Sequence, residues 1–232
     1  MIRICWFVVV LIFAGPCACR AALIAGWDFS NLGNPSSTVS ATAGSGSLDI
    51  SAFADTQQDP VAGTSVNAFP GSETAPGTAL NLKNSSANGQ VMIFSLNMSG
   101  YQDLVLTFAT RGSATGFDTH TWSYSTDGSS YITLTGNNTA VHDGVTTFVT
   151  QTVDFSSISA LEDNDGSIFI ELKVSGATSS GGLNGFDNIQ FNADPSPIPE
   201  PAVGGAIGGA GLLALCCWRI WRQRRSGEKL KS

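Results

Sequence analysis

The residues able to do chemistry are few in kind and uneven in place. Between Leu23 and Pro197 the chain carries sixteen Asp or Glu against three bases, Lys83, Arg111 and Lys173, a net charge of −13 for that stretch. Paired carboxyls can hydrolyse glycosidic bonds, and Asp118 and Asp187 are the two that a sheet fold could bring together. Hard oxygen ligands at close spacing suit calcium. Residues 162–166, Glu-Asp-Asn-Asp-Gly, form such a run, with Asp163 and Asp165 as its ligands. The run lacks the full EF-hand series and the bidentate Glu at the twelfth position, so a solvated turn competes with a calcium loop. Trp27, Trp122, Tyr124 and Tyr131 offer aromatic faces for stacking on sugar rings, although alternation assigns Trp122 and Tyr124 to a core face. Of two histidines, His120 shares that core face, and His142 precedes Asp143-Gly144 in a turn.

What is missing narrows the function further. There is no His-Glu-x-x-His, no Gly-x-Ser-x-Gly and no Gly-x-x-x-x-Gly-Lys-Ser/Thr. An acidic globule lacks the cationic footprint that holds phosphates, which excludes nucleic acid as a partner. All five cysteines, Cys5, Cys17, Cys19, Cys216 and Cys217, sit in the end segments, so the stretch between has neither disulfides nor thiolate metal sites. A non-enzymatic protein is expected.

The elements that must position these residues read as strands. From Leu23 onward the pattern alternates with period two, placing successive side chains on opposite faces. Over residues 103–110, Leu104, Leu106 and Phe108 share one face and Val105, Thr107 and Ala109 the other. Over residues 117–126, His120, Trp122 and Tyr124 oppose Thr119, Thr121 and Ser123, and Asp127-Gly128 closes a hairpin onto residues 131–134. Further strands are expected at 24–29, 79–83, 91–96, 146–153, 167–174 and 185–191. Stretches 31–47 and 55–77, rich in Ser, Thr, Gly, Pro and Ala, read as long surface loops, and 155–161 as a short helical turn. The fold class expected is all-β: a two-sheet antiparallel, jelly-roll-like β-sandwich, flanked by an N-terminal signal peptide and a single C-terminal transmembrane helix.

Both flanks have their own logic. Residues 1–22 combine Arg3, an uncharged apolar run and small residues near Ala21 and Ala22, the composition of a signal peptide. Residues 23–193 form the ectodomain and 194–201 a proline-rich linker. Residues 202–221 follow as the membrane helix and 222–232 as a basic tail. The seventeen residues from Ala202 to Trp218 carry no charge. At about 1.5 Å each they span about 25 Å of a core about 30 Å thick, until Ile220 and Trp221 add a turn. Arg219, Arg222, Arg224 and Arg225 keep the far end cytoplasmic and orient the domain outward.

Pro199-Glu200-Pro201, followed by this glycine-rich apolar stretch and a terminal arginine cluster, resembles the PEP-CTERM sorting signal of Gram-negative bacteria. The resemblance implies recognition by an exosortase, a membrane protease and transpeptidase, with release or transfer to the cell surface and association with exopolysaccharide. The domain also resembles sandwich domains often carried by such proteins, at residues 25–29, 108–111, 116–117, 122–128 and 185–190. Those matches are structural rather than catalytic. A calcium-stabilised carbohydrate-binding module is the alternative function, and a carboxylate-dependent glycoside hydrolase a second one.

Overall fold

The computed structural model describes residues 21–30, 32, 37–73, 77–136 and 146–197. Residues 1–20 of the stretch expected as a signal peptide, His142, the Pro199-Glu200-Pro201 motif, the apolar stretch from Ala202 and the arginines from Arg219 to Arg225 lie outside the described residues, whereas Ala22, expected at the end of that peptide, begins the first strand. Among the described residues no helix is long and apolar enough to cross a membrane. The chain divides after Ser196, and every strand among the described residues belongs to the first unit.

Its strands are β1 (Ala22–Trp27), β2 (Thr38–Ser40), β3 (Ala43–Gly44), β4 (Gly46–Asp49), β5 (Gln58–Ala62), β6 (Thr78–Lys83) and β7 (Val91–Asn97). Then come β8 (Tyr101–Gly112), β9 (Thr119–Ser125), β10 (Ile132–Thr133), β11 (Val149–Asp154), β12 (Ser167–Ser175) and β13 (Leu183–Pro195). They form a two-sheet, wholly antiparallel sandwich. The seven-stranded sheet runs β11-β8-β13-β1-β3, with β6 also on β13 and β5 on β6; the six-stranded sheet runs β10-β9-β12-β7-β4-β2. Helical structure among the described residues is confined to 3-10 turns at Asp55–Gln57, Ser85–Ala87 and Ser159–Leu161. The last of these falls within the helical turn expected at 155–161.

Alternation decides which side chains meet between the sheets. Leu104, Leu106 and Phe108 of β8 are buried, while Thr107 and Arg111 face outward. Asp127-Gly128 turns β9 into β10, with Gly128 at φ 70° where a side chain would be strained. Asp194 and Pro195, expected in the linker, extend β13 by pairing with Gln102 and Tyr101.

The core corrects part of the aromatic reading. Trp27 is an interior side chain, unavailable for sugar stacking, and Trp122 is interior as alternation expected. Trp27 of β1 meets Phe94 of β7 and Phe191 of β13 edge to face, at centroid distances of 5.3 and 6.1 Å, and its Nε1 donates to the Val39 carbonyl at 3.1 Å. Burial satisfies both the ring and its polar handle. His120 is fully buried, as alternation required, and packs against Phe186 at 5.2 Å and Phe108 at 6.4 Å.

The two stretches expected as loops are partly strand. Residues 31–47 contain β2, β3 and the start of β4, and residues 55–77 contain β5. Residues 63–73 of the second stretch are tied down across the outer face of the seven-stranded sheet. The reason lies in β13, which pairs with β6 over residues 183–186 and with β1 over 189–193. Asp187 and Asn188 fall between those partners, Asn188 at φ 45°, and residues 63–73 fill the gap as a strap. Asn188 Nδ2 donates to the carbonyls of Thr64 (2.7 Å) and Val66 (2.9 Å), Gln190 Nε2 donates to Asn67 O (2.7 Å), and Asn67 Nδ2 donates to Asn188 O (2.8 Å). These bonds satisfy backbone groups that a loop lying on a sheet would otherwise leave unpaired.

Candidate functional site

A groove opens where the chain crosses from one sheet to the other between β3 and β4. Its larger part, about 440 Å³, is lined by Leu23, Ile24, Gly44, Ser45, Asn97 and Tyr101. A smaller part of about 240 Å³ shares Ser45 and Asn97 and continues along Ser47, Ser95 and Ser167. Ser45 is held at the crossing by its N–H, which donates to Ile24 O at 2.9 Å. Asn97 ends β7, and its Oδ1 accepts the Ser99 N–H at 2.8 Å, a bond that fixes the amide plane without using the amide donors. Tyr101 begins β8, with its ring packed partly on the core.

The acidic run at 162–166 is bonded to the turn before Tyr101 and does not line the groove. Asp163 Oδ1 accepts the Gly100 N–H at 2.7 Å, the Asp163 N–H donates to Tyr101 O at 2.7 Å, and the Ser99 hydroxyl donates to Asp165 Oδ1 at 2.9 Å. The loop is thereby clipped to the turn that delivers Tyr101. Among the described residues no group of three His, Cys, Asp or Glu is placed to hold a metal ion.

Past the groove, the outer face of the six-stranded sheet continues the same surface. Register aligns Ser47, Ser95, Phe169 and Ser125 across β4, β7, β12 and β9. Asp49, Ile93, Glu171 and Ser123 form the adjacent row. Phe169 is half-buried beneath the hairpin, where a Cβ on Gly128 would lie 3.1 Å from its ring. Burial, and after it the charges of Glu171, Asp127 and Asp49, raise the Tyr131 hydroxyl pKa above its ordinary value. Burial likewise raises the Glu171 carboxyl, with Lys173 opposing. Asp127 is pulled down to about 2 by the N–H groups of Ser130 and Ser129 and the Ser125 hydroxyl, which stabilise its charged form in the hairpin turn.

The most perturbed carboxyl stands elsewhere. Burial pushes Asp187 up to about 7, against the N–H donors of Thr64 and Asn188, with the Asp28 charge adding to the rise. Such a value suits a general acid, but the geometry does not. Asp187 is 2% exposed, and its oxygens accept from Thr64 N (2.7 Å) and Asn188 N (2.8 Å) beneath the strap. Asp28, also buried, accepts from Thr42 Oγ1 (2.9 Å), Ser30 N (3.2 Å) and Glu73 N (3.0 Å). Both are fasteners of loops. Asp118, nominated as the partner of Asp187, precedes β9 on the other sheet, exposed, accepting from the Thr119 hydroxyl at 2.8 Å and packed on Gly176. The carboxyl that acts on Asp187 is Asp28, a neighbour the sequence reading missed: Asp28 follows β1, whose last residue, Trp27, pairs with Ile189 beside Asn188.

No family model matches the chain, and no curated protein matches it. Solved structures do. The module TmCBM61, solved with β-1,4-galactotriose, is 15% identical, matched over 71% of this chain and 92% of that one, with a TM-score of 0.38. The K3 adhesin domain of Lys-gingipain from Porphyromonas gingivalis is 14% identical, over 75% and 99%, with a TM-score of 0.39. A carbohydrate-binding module of lichenase 5A from Cellvibrio mixtus, solved with cellotriose, is 15% identical, over 74% and 98%, with a TM-score of 0.36.

Proposed function

We propose that the chain is a non-catalytic, glycan-binding surface protein, a jelly-roll sandwich exported by a signal peptide and sorted by an exosortase. The observation that carries the binding half is the chemistry of the groove. Among the described residues its lining offers serine hydroxyls, one amide, one tyrosine and three aliphatic side chains, with no carboxylate or imidazole. Hydroxyls and amides both donate and accept, matching the hydroxyls of a neutral sugar, while Tyr101 and Leu23 offer a surface for the apolar face of a pyranose. Hydrolysis of a glycosidic bond calls for two carboxyls flanking it, so this lining supports holding a sugar rather than cutting it.

Cellotriose and β-1,4-galactotriose are suitable first probes. The full chain in detergent solution should bind at least one neutral oligosaccharide, and Tyr101→Ala should weaken that binding about ten-fold, the worth of one aromatic stacking partner. Calorimetric titration that shows no neutral glycan bound, or equal binding by Tyr101→Ala, removes the groove from the proposal.

The sorting half is supported by the order of Pro199-Glu200-Pro201, the apolar stretch and the arginines. Expressed in hosts with and without an exosortase, the chain should lose the Arg219 to Arg225 segment only where the enzyme is present. Mass spectrometry of the mature C-terminus reads this directly, and an intact tail in both hosts refutes it.

A further inference from the structure

Arg111 stands apart among the bases of the sandwich. Lys83 is paired with Asp59, the one ion pair among the described residues, and Lys173 follows Glu171 on the six-stranded sheet, acting on its carboxyl. Arg111 lies on the outer face of the seven-stranded sheet, partly exposed, in a row with Asn81 of β6 and Gly185 of β13. A Cβ on Gly185 would come within 3.3 Å of both Arg111 Cγ and the Phe148 ring, so the glycine is what lets the arginine stem lie flat on the sheet. Its guanidinium carbon then rests 4.7 Å from the Phe148 ring centroid, a cation over a π face.

No carboxylate among the described residues answers that charge. Asp187 is two residues along β13 on the same face, but both its oxygens are taken by Thr64 and Asn188. Arg111 Nε is buried without an acceptor, and Asn81 Oδ1, across Gly185 in the same row, is buried without a donor. A donor fork held flat by an aromatic ring, unpaired among the described residues in a stretch of net charge −13, is shaped for a planar anion: the guanidinium grips a carboxylate through two parallel N–H donors. The surrounding negative charge selects against densely sulfated or phosphorylated polymers and tolerates one carboxylate at one point, since screening at physiological salt confines repulsion to about 8 Å.

We propose that Arg111 and Phe148 form a second glycan subsite, which holds the carboxylate of a uronate residue while the sugar ring leans on Phe148. The proposal rests on the glycan-binding reading but lies at the other end of β8 from Tyr101 and shares no residue with the groove, so the two can fail separately. The probe is cellotriuronate, which is cellotriose with each C6 oxidised to a carboxylate, titrated into the full chain in detergent alongside cellotriose itself. Wild type should bind cellotriuronate. Arg111→Gln should weaken it about ten- to hundred-fold, the range for losing a charged hydrogen bond, with Arg111→Lys in between and Tyr101→Ala without effect on this probe. Cellotriose binding should be untouched by either Arg111 substitution. Failure of wild type to bind cellotriuronate, or equal binding by Arg111→Gln or Arg111→Lys, overturns the subsite. If Arg111→Gln does not melt cooperatively, Arg111→Lys, which keeps the charge and loses the fork, decides alone. Loss of cellotriose binding with cellotriuronate binding intact would count against the groove only.

Discussion

Asp187→Asn should be less stable than the wild type near pH 4.5 and equal to it or more stable near pH 8, so that the two stability curves cross. The first half follows from hydrogen bonding. Both carboxyl oxygens of Asp187 accept backbone N–H groups, whereas an amide presents N–H₂ to one of them, leaving a buried donor facing a donor at a cost of about 1–3 kcal/mol. The second half follows from proton linkage. The folded pKa is raised to about 7 from the ordinary 3.8, so between those values the folded state keeps a proton that the unfolded chain releases. The stabilisation this gives is complete below pH 3.8 and is lost as pH rises through about 7.

The largest amplitude that the shift allows is on the order of 4 kcal/mol, and any water admitted beneath the strap reduces it. Asp154, lowered by the hydroxyl and N–H of Ser156, and Asp127 titrate with the opposite sign, and they do so below pH 4. Subtracting the variant's urea-unfolding free energy from that of the wild type at each pH cancels them and isolates Asp187. A difference that stays constant from pH 4.5 to 8 would show that the buried carboxyl does not titrate in this window. Above pH 7 the charge then buried on Asp187 should also favour lifting of the strap, read as faster amide exchange at Thr64, where the N–H leaves Asp187.

The strap also marks where the sequence stops being readable. The alternation of Leu104, Leu106 and Phe108 reports a core face because burial selects apolar side chains every second residue, and the same rule placed His120 and Trp122 correctly. Residues 63–73 carry no such period. They are held by bonds to Asn188 and Gln190 more than 120 positions away, and a polar side chain that fastens a loop looks the same in sequence as one that faces water. β2, β3 and β5 escaped for a related reason: they are short edge strands built from small and polar residues. The groove was hidden as well, since Ser45, Asn97 and Tyr101 meet only because β3 and β4 belong to different sheets. Asp163 and Asp165 were singled out for metal chemistry, yet what the fold makes visible is their grip on the turn before Tyr101.

Phe94→Ala should remove about 3–5 kcal/mol of unfolding free energy, enough to unfold a domain at the weaker end of the usual 5–15 kcal/mol. Phe94 is wholly buried and joins the sheets, its ring 5.3 Å from Trp27 of β1 and 5.1 Å from Phe191 of β13, both edge on. Three rings contributed by three strands cannot collapse onto an alanine-sized gap without moving backbone that is paired in both sheets. The cavity therefore stays open, and its cost adds to the lost transfer energy of the ring. Ile132→Ala supplies the contrast, because Ile132 is 58% exposed at the end of the six-stranded sheet and its loss should change stability by about 0.5 kcal/mol or less. Urea unfolding of both variants separates packing from mere hydrophobicity, and equal losses at the two positions would mean that the Trp27, Phe94 and Phe191 cluster does not hold the sheets together.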